Sequence, residues 1–365
     1  MIKVQNDVWE RLALEDRPVI IYGTGNGADK IIDELNKRSI KLRGVMASDD
    51  FVRGQSFRGF TVKRLSELER DFADPVIIIG FGSQRPEVIE NILSLAKRYT
   101  VLCADVPVYG NDIFDRAYFA AHEHEIREAC DLLADEQSKR VFRSVIEFRL
   151  TGELDRLTSC FTPKEEAFEN ILRLGTDESY LDLGAYRGDT IESFLMHTGG
   201  NYRHITALEP DRKTYLKLRQ YAGGFPDVQL FNMGIWDSDT DLSFESSLGR
   251  GSSIADTGKQ ALSVTCIDTL YRKRPVTFIK ADVEGAEERA INGGRLVLQR
   301  DRPKLDIALY HRTRDIFALP LLIHSIVPEY KIFMRQHPHI PAWDLDLYAL
   351  GAASCRSRVR GKAFS

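Results

Sequence analysis

Apolar positions along the chain fall into two kinds of run. Residues 18–22, 75–79 and 101–102 are short, unbroken apolar runs rich in Val and Ile, and 42–46 is a short, mostly apolar run broken by Arg43. Runs of that length predict buried strands. Between them, Ile31, Ile32 and Leu35, then residues 65–68 and 86–95, carry apolar side chains at helical spacing. The alternation predicts a small parallel α/β domain over residues 1–105. Between 111 and 150 spacings of three and four take over, through Ile113, Ala117, Phe119, Leu132, Leu133, Val141, Phe142, Val145, Ile146 and Phe148. This predicts a helical linker over 106–175, broken at Thr151-Gly152-Glu153 and resumed after Pro163. Strand-like runs return at 180–183, 204–208, 228–231, 242–244, 262–266, 276–281, 305–309, 330–334 and 345–350. Helical segments at 189–195, 212–221 and 319–327 separate several of them, and 249–253 reads as a loop. The expected organisation is a second α/β domain over 176–352 and a basic tail over 353–365 (Arg356, Arg358, Arg360, Lys362).

Composition narrows the class. Hydrophobic residues make up 43% and charged residues 28%, as in ordinary globular proteins. The net charge of −4 provides no basic field for nucleic acid. Cys103, Cys130, Cys160, Cys266 and Cys355 are scattered, with no Cys-x-x-Cys and no Cys/His cluster, which fits a reducing compartment. His122 and His124, two apart, point to different helix faces and make no metal pair. The N-terminal stretch lacks a signal-peptide core, and no apolar run is long enough to span a bilayer. The expectation is a cytoplasmic protein with no transmembrane segment and no nucleic-acid partner.

Residues 179–210 carry the densest chemistry. A short strand holding Asp182 leads into Gly184-Ala185-Tyr186-Arg187-Gly188, then a helix that Asp189-Thr190 can cap, then a strand ending on Glu209-Pro210. Strand, glycine turn, helix, strand and acid form the nucleotide-binding half of a doubly wound sheet. A pyrophosphate wants G-x-G-x-x-G and no acids. Here Asp182 and Asp189 flank the turn, which suits a cationic nucleoside such as S-adenosylmethionine, with Glu209 placed for the ribose hydroxyls. A second stretch, Lys280-Ala281-Asp282-Val283-Glu284-Gly285-Ala286-Glu287, ends a strand on two carboxylates at the edge where open α/β sheets bind ligands. His311 follows another strand at that edge.

Near the N-terminus, Gly23-Thr24-Gly25-Asn26-Gly27-Ala28 approximates G-x-G-x-x-A, with Asp49 after the second strand. A tight strand-to-helix turn needs glycine whether or not it binds anything. This stretch and Gly59-Phe60-Thr61-Val62-Lys63-Arg64-Leu65-Ser66-Glu67-Leu68 resemble the Rossmann-like N-terminal domain of PglD/NeuD-type sugar acetyltransferases. That resemblance implies a nucleotide-sugar or sugar-phosphate ligand; a docking or dimerisation role is the alternative.

In order, Asp182-Leu183-Gly184-Ala185-x-x-Gly188-Asp189-Thr190, Glu209-Pro210, Gly234-x-Trp236-Asp237, Phe278-Ile279-Lys280-x-Asp282-Val283-Glu284-Gly285-Ala286-Glu287 and Tyr310-His311 resemble the FkbM family of S-adenosylmethionine-dependent methyltransferases. The resemblance covers about the last half of the chain. It implies a class I methyltransferase domain, with a seven-stranded, mostly parallel sheet whose last strand is antiparallel. It also implies O-methylation of a sugar hydroxyl in a glycan, a nucleotide sugar or a natural product. Asp182, Gly184, Ala185, Gly188 and Glu209 are then the cofactor residues, with Trp236 and Asp237 flanking the adenine. Asp282, Glu284 or His311 is the general base, with the choice open. Asp282-x-Glu284 could serve Mg2+, but no third ligand is evident in sequence, so a metal is not favoured. A homo-oligomer is compatible with the sequence. Two rivals stand beside this reading. One is an NAD(P)-dependent sugar oxidoreductase or epimerase using the 23–28 turn, weakened by the lack of a readable Tyr-x-x-x-Lys. The other is a non-catalytic scaffold.

Overall fold

Predominantly apolar strands must be covered on both faces, and such strands form the centre of two parallel-rich sheets in this chain. A computed structural model describes residues 4–245, 253–254 and 260–351. Two units result. One comprises the chain up to Ile126, Lys139–Thr162 and Gln336–Asp344; the other comprises Arg127–Ser138, Pro163–Arg335 and the chain from Leu345. Residues 106–175, expected as one linker, are thus apportioned between the units.

The first unit holds β1 (Val19–Tyr22), β2 (Leu42–Met46), β3 (Ser56–Phe57), β4 (Phe60–Lys63), β5 (Val76–Ile79) and β6 (Thr100–Leu102). Their order is β3-β4-β2-β1-β5-β6, parallel except for the β3–β4 pair. Ile20, Ile21, Val45, Ile77 and Ile78 are fully buried at its centre. The β3–β4 hairpin escaped the hydrophobic pattern because both strands are short and largely part-exposed, with β3 at the sheet edge.

The second unit holds β7 (Ser179–Leu183), β8 (His204–Leu208) and β9 (Val228–Phe231). A smaller sheet follows, of β10 (Gly234–Ile235), β11 (Thr240–Glu245), β12 (Ser253–Ile254) and β13 (Gln260–Thr265). Then come β14 (Phe278–Ala281), β15 (Lys304–Ala308), β16 (Lys331–Gln336) and β17 (Leu345–Leu350). The main sheet has seven strands in the order β16-β17-β15-β14-β7-β8-β9. Neighbours from β15 through β14, β7 and β8 to β9 are parallel, and β17 runs antiparallel to β15. This is the expected mixed α/β methyltransferase architecture. Tyr180 on β7 stacks against both Phe194 and Phe278, at 4.5 and 4.9 Å between ring centroids, and the two Phe rings lie 6.2 Å from each other. These rings pin the helix Asp189–Thr198 and strand β14 to the central strand.

One local expectation is corrected. The helix after the glycine turn starts at Asp189 itself, with Gly188 in the cap position at φ +99°, and no side chain caps it. Thr190 instead turns its hydroxyl inward onto Asp182, where burial gives the bond more value than a solvent-exposed cap would have. Among the described residues, no helix is long and apolar enough to cross a membrane. The expected 249–253 loop, apart from Ser253 at the start of β12, and the basic tail lie outside the described residues.

Candidate active site

The site grows from the carboxyl ends of β7, β8 and β14, three adjacent strands. Register sets Asp182 beside Lys280 and Leu183 beside Ala281, so the glycine turn and the acidic segment leave the sheet side by side. They run so close that a Cβ on Gly184 (φ +85°) would lie 2.0 Å from the Asp282 carbonyl oxygen. Gly188 is held as tightly, since a Cβ there would lie 2.4 Å from the Tyr221 ring. Gly184 and Ala185 donate their amides to the Leu208 carbonyl, at 3.1 and 3.0 Å. Ala185 is fully buried.

Glu209, just past the end of β8, faces this turn. Its Oε2 accepts from the Tyr186 amide at 3.0 Å and its Oε1 from the Asp211 amide at 2.8 Å. Asn232 donates to the carbonyls of Glu209 and Pro210, both at 2.9 Å. Burial pushes Glu209 up to about 7, against the pull of the two amide bonds. A carboxylate has about four acceptor positions. Two are used, and those left are the kind a vicinal diol can bond.

Asp182 is completely buried, with Thr190 Oγ1 2.5 Å from its Oδ2. Burial raises it to about 6, opposed by the Thr190 bond and by Lys280. Lys280 is buried as well; burial disfavours its charge, but Asp306, Asp346, Asp282 and Asp182 hold it firmly protonated. Asp182 therefore braces the first turn of the helix Asp189–Thr198 through Thr190.

The segment after β14 gathers the other candidates. Glu284 adopts a left-handed backbone (φ 52°), followed by Gly285 at φ 94°. Such a conformation costs a non-glycine residue on the order of 1 kcal/mol and clusters at functional sites. His311 Nε2 lies 3.4 Å from Asp282 Oδ1 and 3.5 Å from Glu284 Oε2. All three proposed base candidates thus meet at one point. The Tyr310 hydroxyl lies 3.3 Å from Asp282 Oδ1. On the far side of the ring, Nδ1 is 2.8 Å from Glu287 Oε1, which also accepts from the Val283 amide at 2.9 Å. Burial disfavours the imidazolium, yet Glu287, Asp282 and Glu284 outweigh it and push His311 up to about 10. Burial raises Glu287, but His311 and the amide bonds win and leave it lowered. Asp315, also buried, is pushed up to about 7 by burial and by Glu287.

Glu287 and Asp315 are what sequence reasoning missed. Glu287 stands within the acidic motif, but its partner lies 24 residues on, a contact no local spacing displays. Trp236 and Asp237 sit where the chain enters the small sheet. The Arg289 guanidinium lies 5.2 Å from the Trp236 ring centroid and pairs with Asp237 at 2.6 Å. Asp237 is engaged by a cation of the protein itself.

In the first unit, two glycines of the 23–28 turn are accounted for by packing. A Cβ on Gly23 would meet Phe81 at 2.9 Å, and one on Gly27 would meet the Gly80 carbonyl oxygen at 2.9 Å. Only at Gly25, of the three, would a Cβ meet nothing within 4 Å. Residues 336–344 close over the neighbouring turn. Ser83 and Ile340 exchange backbone bonds at 2.8 and 3.0 Å, and Trp343 lies against Gly82.

The fold and site define an α/β protein with a methyltransferase-type sheet and an acidic ligand edge. Residues 182–347 match the family model described as Methyltransferase FkbM domain. The chain is similar over 91% of its length, and 90% of the other chain, to the crystal structure of methyltransferase FkbM from Methylobacillus flagellatus KT, with 22% identity and a TM-score of 0.71. An rRNA methylase from Streptococcus thermophilus aligns with 49% of this chain and 89% of its own, at 14% identity and a TM-score of 0.33. The search of curated proteins gives no match.

Proposed function

We propose that the second unit transfers a methyl group from S-adenosylmethionine to a sugar hydroxyl, in a glycan, a nucleotide sugar or a natural product. The observation that carries the cofactor reading is Glu209: a nearly buried carboxylate, fixed by two backbone amides beside a glycine turn, with acceptor capacity left over. The acidic edge it shares with Asp282 and Glu284 suits a cationic nucleoside and repels a pyrophosphate. When bound, the cofactor supplies an electrophilic methyl carbon on a sulfonium.

The chain's own residues have two tasks. Glu209 and the Gly184–Gly188 turn orient the nucleoside, so that the acceptor oxygen and the methyl carbon can be held in line. Asp282 and Glu284, each about a third exposed (34% and 28% of the side chain), are the groups an acceptor can reach. One of them takes the hydroxyl proton as the new O–C bond forms and the S–C bond breaks. His311, buried beyond solvent, faces both carboxylates through Nε2. The sugar class of the acceptor follows the resemblance of the Asp182–Thr190, Phe278–Glu287 and Tyr310-His311 motifs to the FkbM family.

Calorimetric titration of S-adenosylhomocysteine into the full chain tests the cofactor reading. The expected result is micromolar binding that weakens at least about tenfold in Glu209→Ala, one such bond to a charged group being worth about 1.5–3 kcal/mol. Absence of binding, with NAD(P) binding instead, would overturn the assignment.

A further inference from the structure

His311 Nε2 is the most unusual atom of the site. The ring is completely buried, and Nε2 has no hydrogen-bond partner. Yet it faces two carboxylate oxygens, Asp282 Oδ1 at 3.4 Å and Glu284 Oε2 at 3.5 Å. An N–H···O bond between such groups would close to about 2.9 Å. Two ligands each about 2.05 Å from a tetrahedral ion stand about 3.3 Å apart, so the observed spacing is that of donors around a cation.

The opposite side of the ring supports the same conclusion. Nδ1 is committed to Glu287 Oε1 at 2.8 Å, and Glu287 is committed to the Val283 amide. A metal-binding histidine almost always gives its second nitrogen to a carboxylate, which fixes the tautomer and the ring plane. Ligand atoms of Asp282, Glu287 and His311 all lie within 4.8 Å of one another; Glu284 joins them through His311, its Oε2 3.5 Å from Nε2. Asp282 and Glu284 keep an open flank toward solvent, which gives an entry path and room for further ligands.

The geometry points to a divalent cation site in which Asp282, Glu284 and His311 are the ligands and Glu287 orients His311. One nitrogen among carboxylate oxygens selects a first-row transition ion of the Zn2+ or Mn2+ type over Mg2+ or Ca2+, which prefer all-oxygen shells. The site stands on its own residues; only its role rests on the methyl-transfer reading. In that role the open position takes the acceptor hydroxyl and lowers its pKa, and the proton passes to a carboxylate or to water.

The test uses full-length protein stripped with a chelator. Zn2+ is titrated by calorimetry, Mn2+ is followed by electron paramagnetic resonance, and S-adenosylhomocysteine is titrated separately with and without ion. The expected result is one ion per chain, not displaced by excess Mg2+. Binding should weaken by about ten- to a hundredfold in Glu287→Gln, as for other residues that orient a metal ligand. It should be lost in His311→Ala and in Asp282→Asn, whose partly exposed side chain makes it the variant to read if His311→Ala does not fold. No ion bound to the wild type, or equal binding in Asp282→Asn, overturns the site. Retained S-adenosylhomocysteine binding in that event leaves the methyltransferase reading standing; ion binding without it would do the reverse.

Discussion

Glu209 is a carboxylate that burial has made titrate near neutrality. Two consequences follow, with opposite signs. In the free protein its folded pKa lies above its unfolded value. Its contribution to stability is therefore fully present below the unfolded pKa of about 4.5 and is lost as pH rises through about 7. In the proposed cofactor site, however, ribose hydroxyls would donate to the ionised form. Affinity for S-adenosylhomocysteine should rise with pH up to about 7, by as much as about tenfold per unit below it, and then level off. In Glu209→Gln this dependence should flatten. Calorimetry between pH 5.5 and 8.5, values chosen roughly to bracket that pKa, decides the matter; a profile unchanged in the variant would sink the assignment of Glu209.

At the scale of elements, the junction of β7 with the loop after β14 is the tightest constraint on the site. Gly184 is needed there for two reasons, a positive φ and a Cβ position only 2.0 Å from a carbonyl oxygen. Gly184→Ala should destabilise the second unit by roughly 2–4 kcal/mol and lower its melting temperature by several degrees. Gly25→Ala in the other glycine turn is the contrast. With open space at its Cβ, it should shift stability by no more than about 1 kcal/mol. Thermal melts of both variants check the pair. The two turns look alike in sequence, because glycine spacing reports only that backbones bend. What each glycine packs against is set by strands distant in the chain. The strands themselves were legible, since β7, β8 and β14 are largely apolar runs that carry or end on Asp182, Glu209 and Asp282. The helix start at Asp189 was not, because Thr190 serves a buried carboxylate in preference to the helix end.

For the whole molecule, the chain order matters more than the two-domain pattern suggested. Residues 336–344, from the last residue of β16 to the start of β17, belong to the first unit, where Ile340 is fully buried. A fragment beginning at Pro163 keeps all seven strands of the methyltransferase sheet yet loses the packing of Ile340, Pro341 and Trp343. It should self-associate through that apolar surface, and light scattering against the full chain would detect it. A monodisperse fragment with unchanged S-adenosylhomocysteine affinity would show that the segment folds without its seat.

The sequence by itself determined the class of the protein. Periodicity marks strands and helices because burial of one face is a local pattern, and acids at strand ends mark a ligand edge because the sheet's polarity is fixed by its connections. Only the tertiary structure decided which groups act together. Glu287 clamps His311 across 24 residues, Asp182 is enclosed as a brace while Glu209 keeps acceptors to spare, and Asp237 is paired with Arg289. Burial and pairing fix each group's charge, and both depend on neighbours brought close by the fold, which no spacing along the chain records.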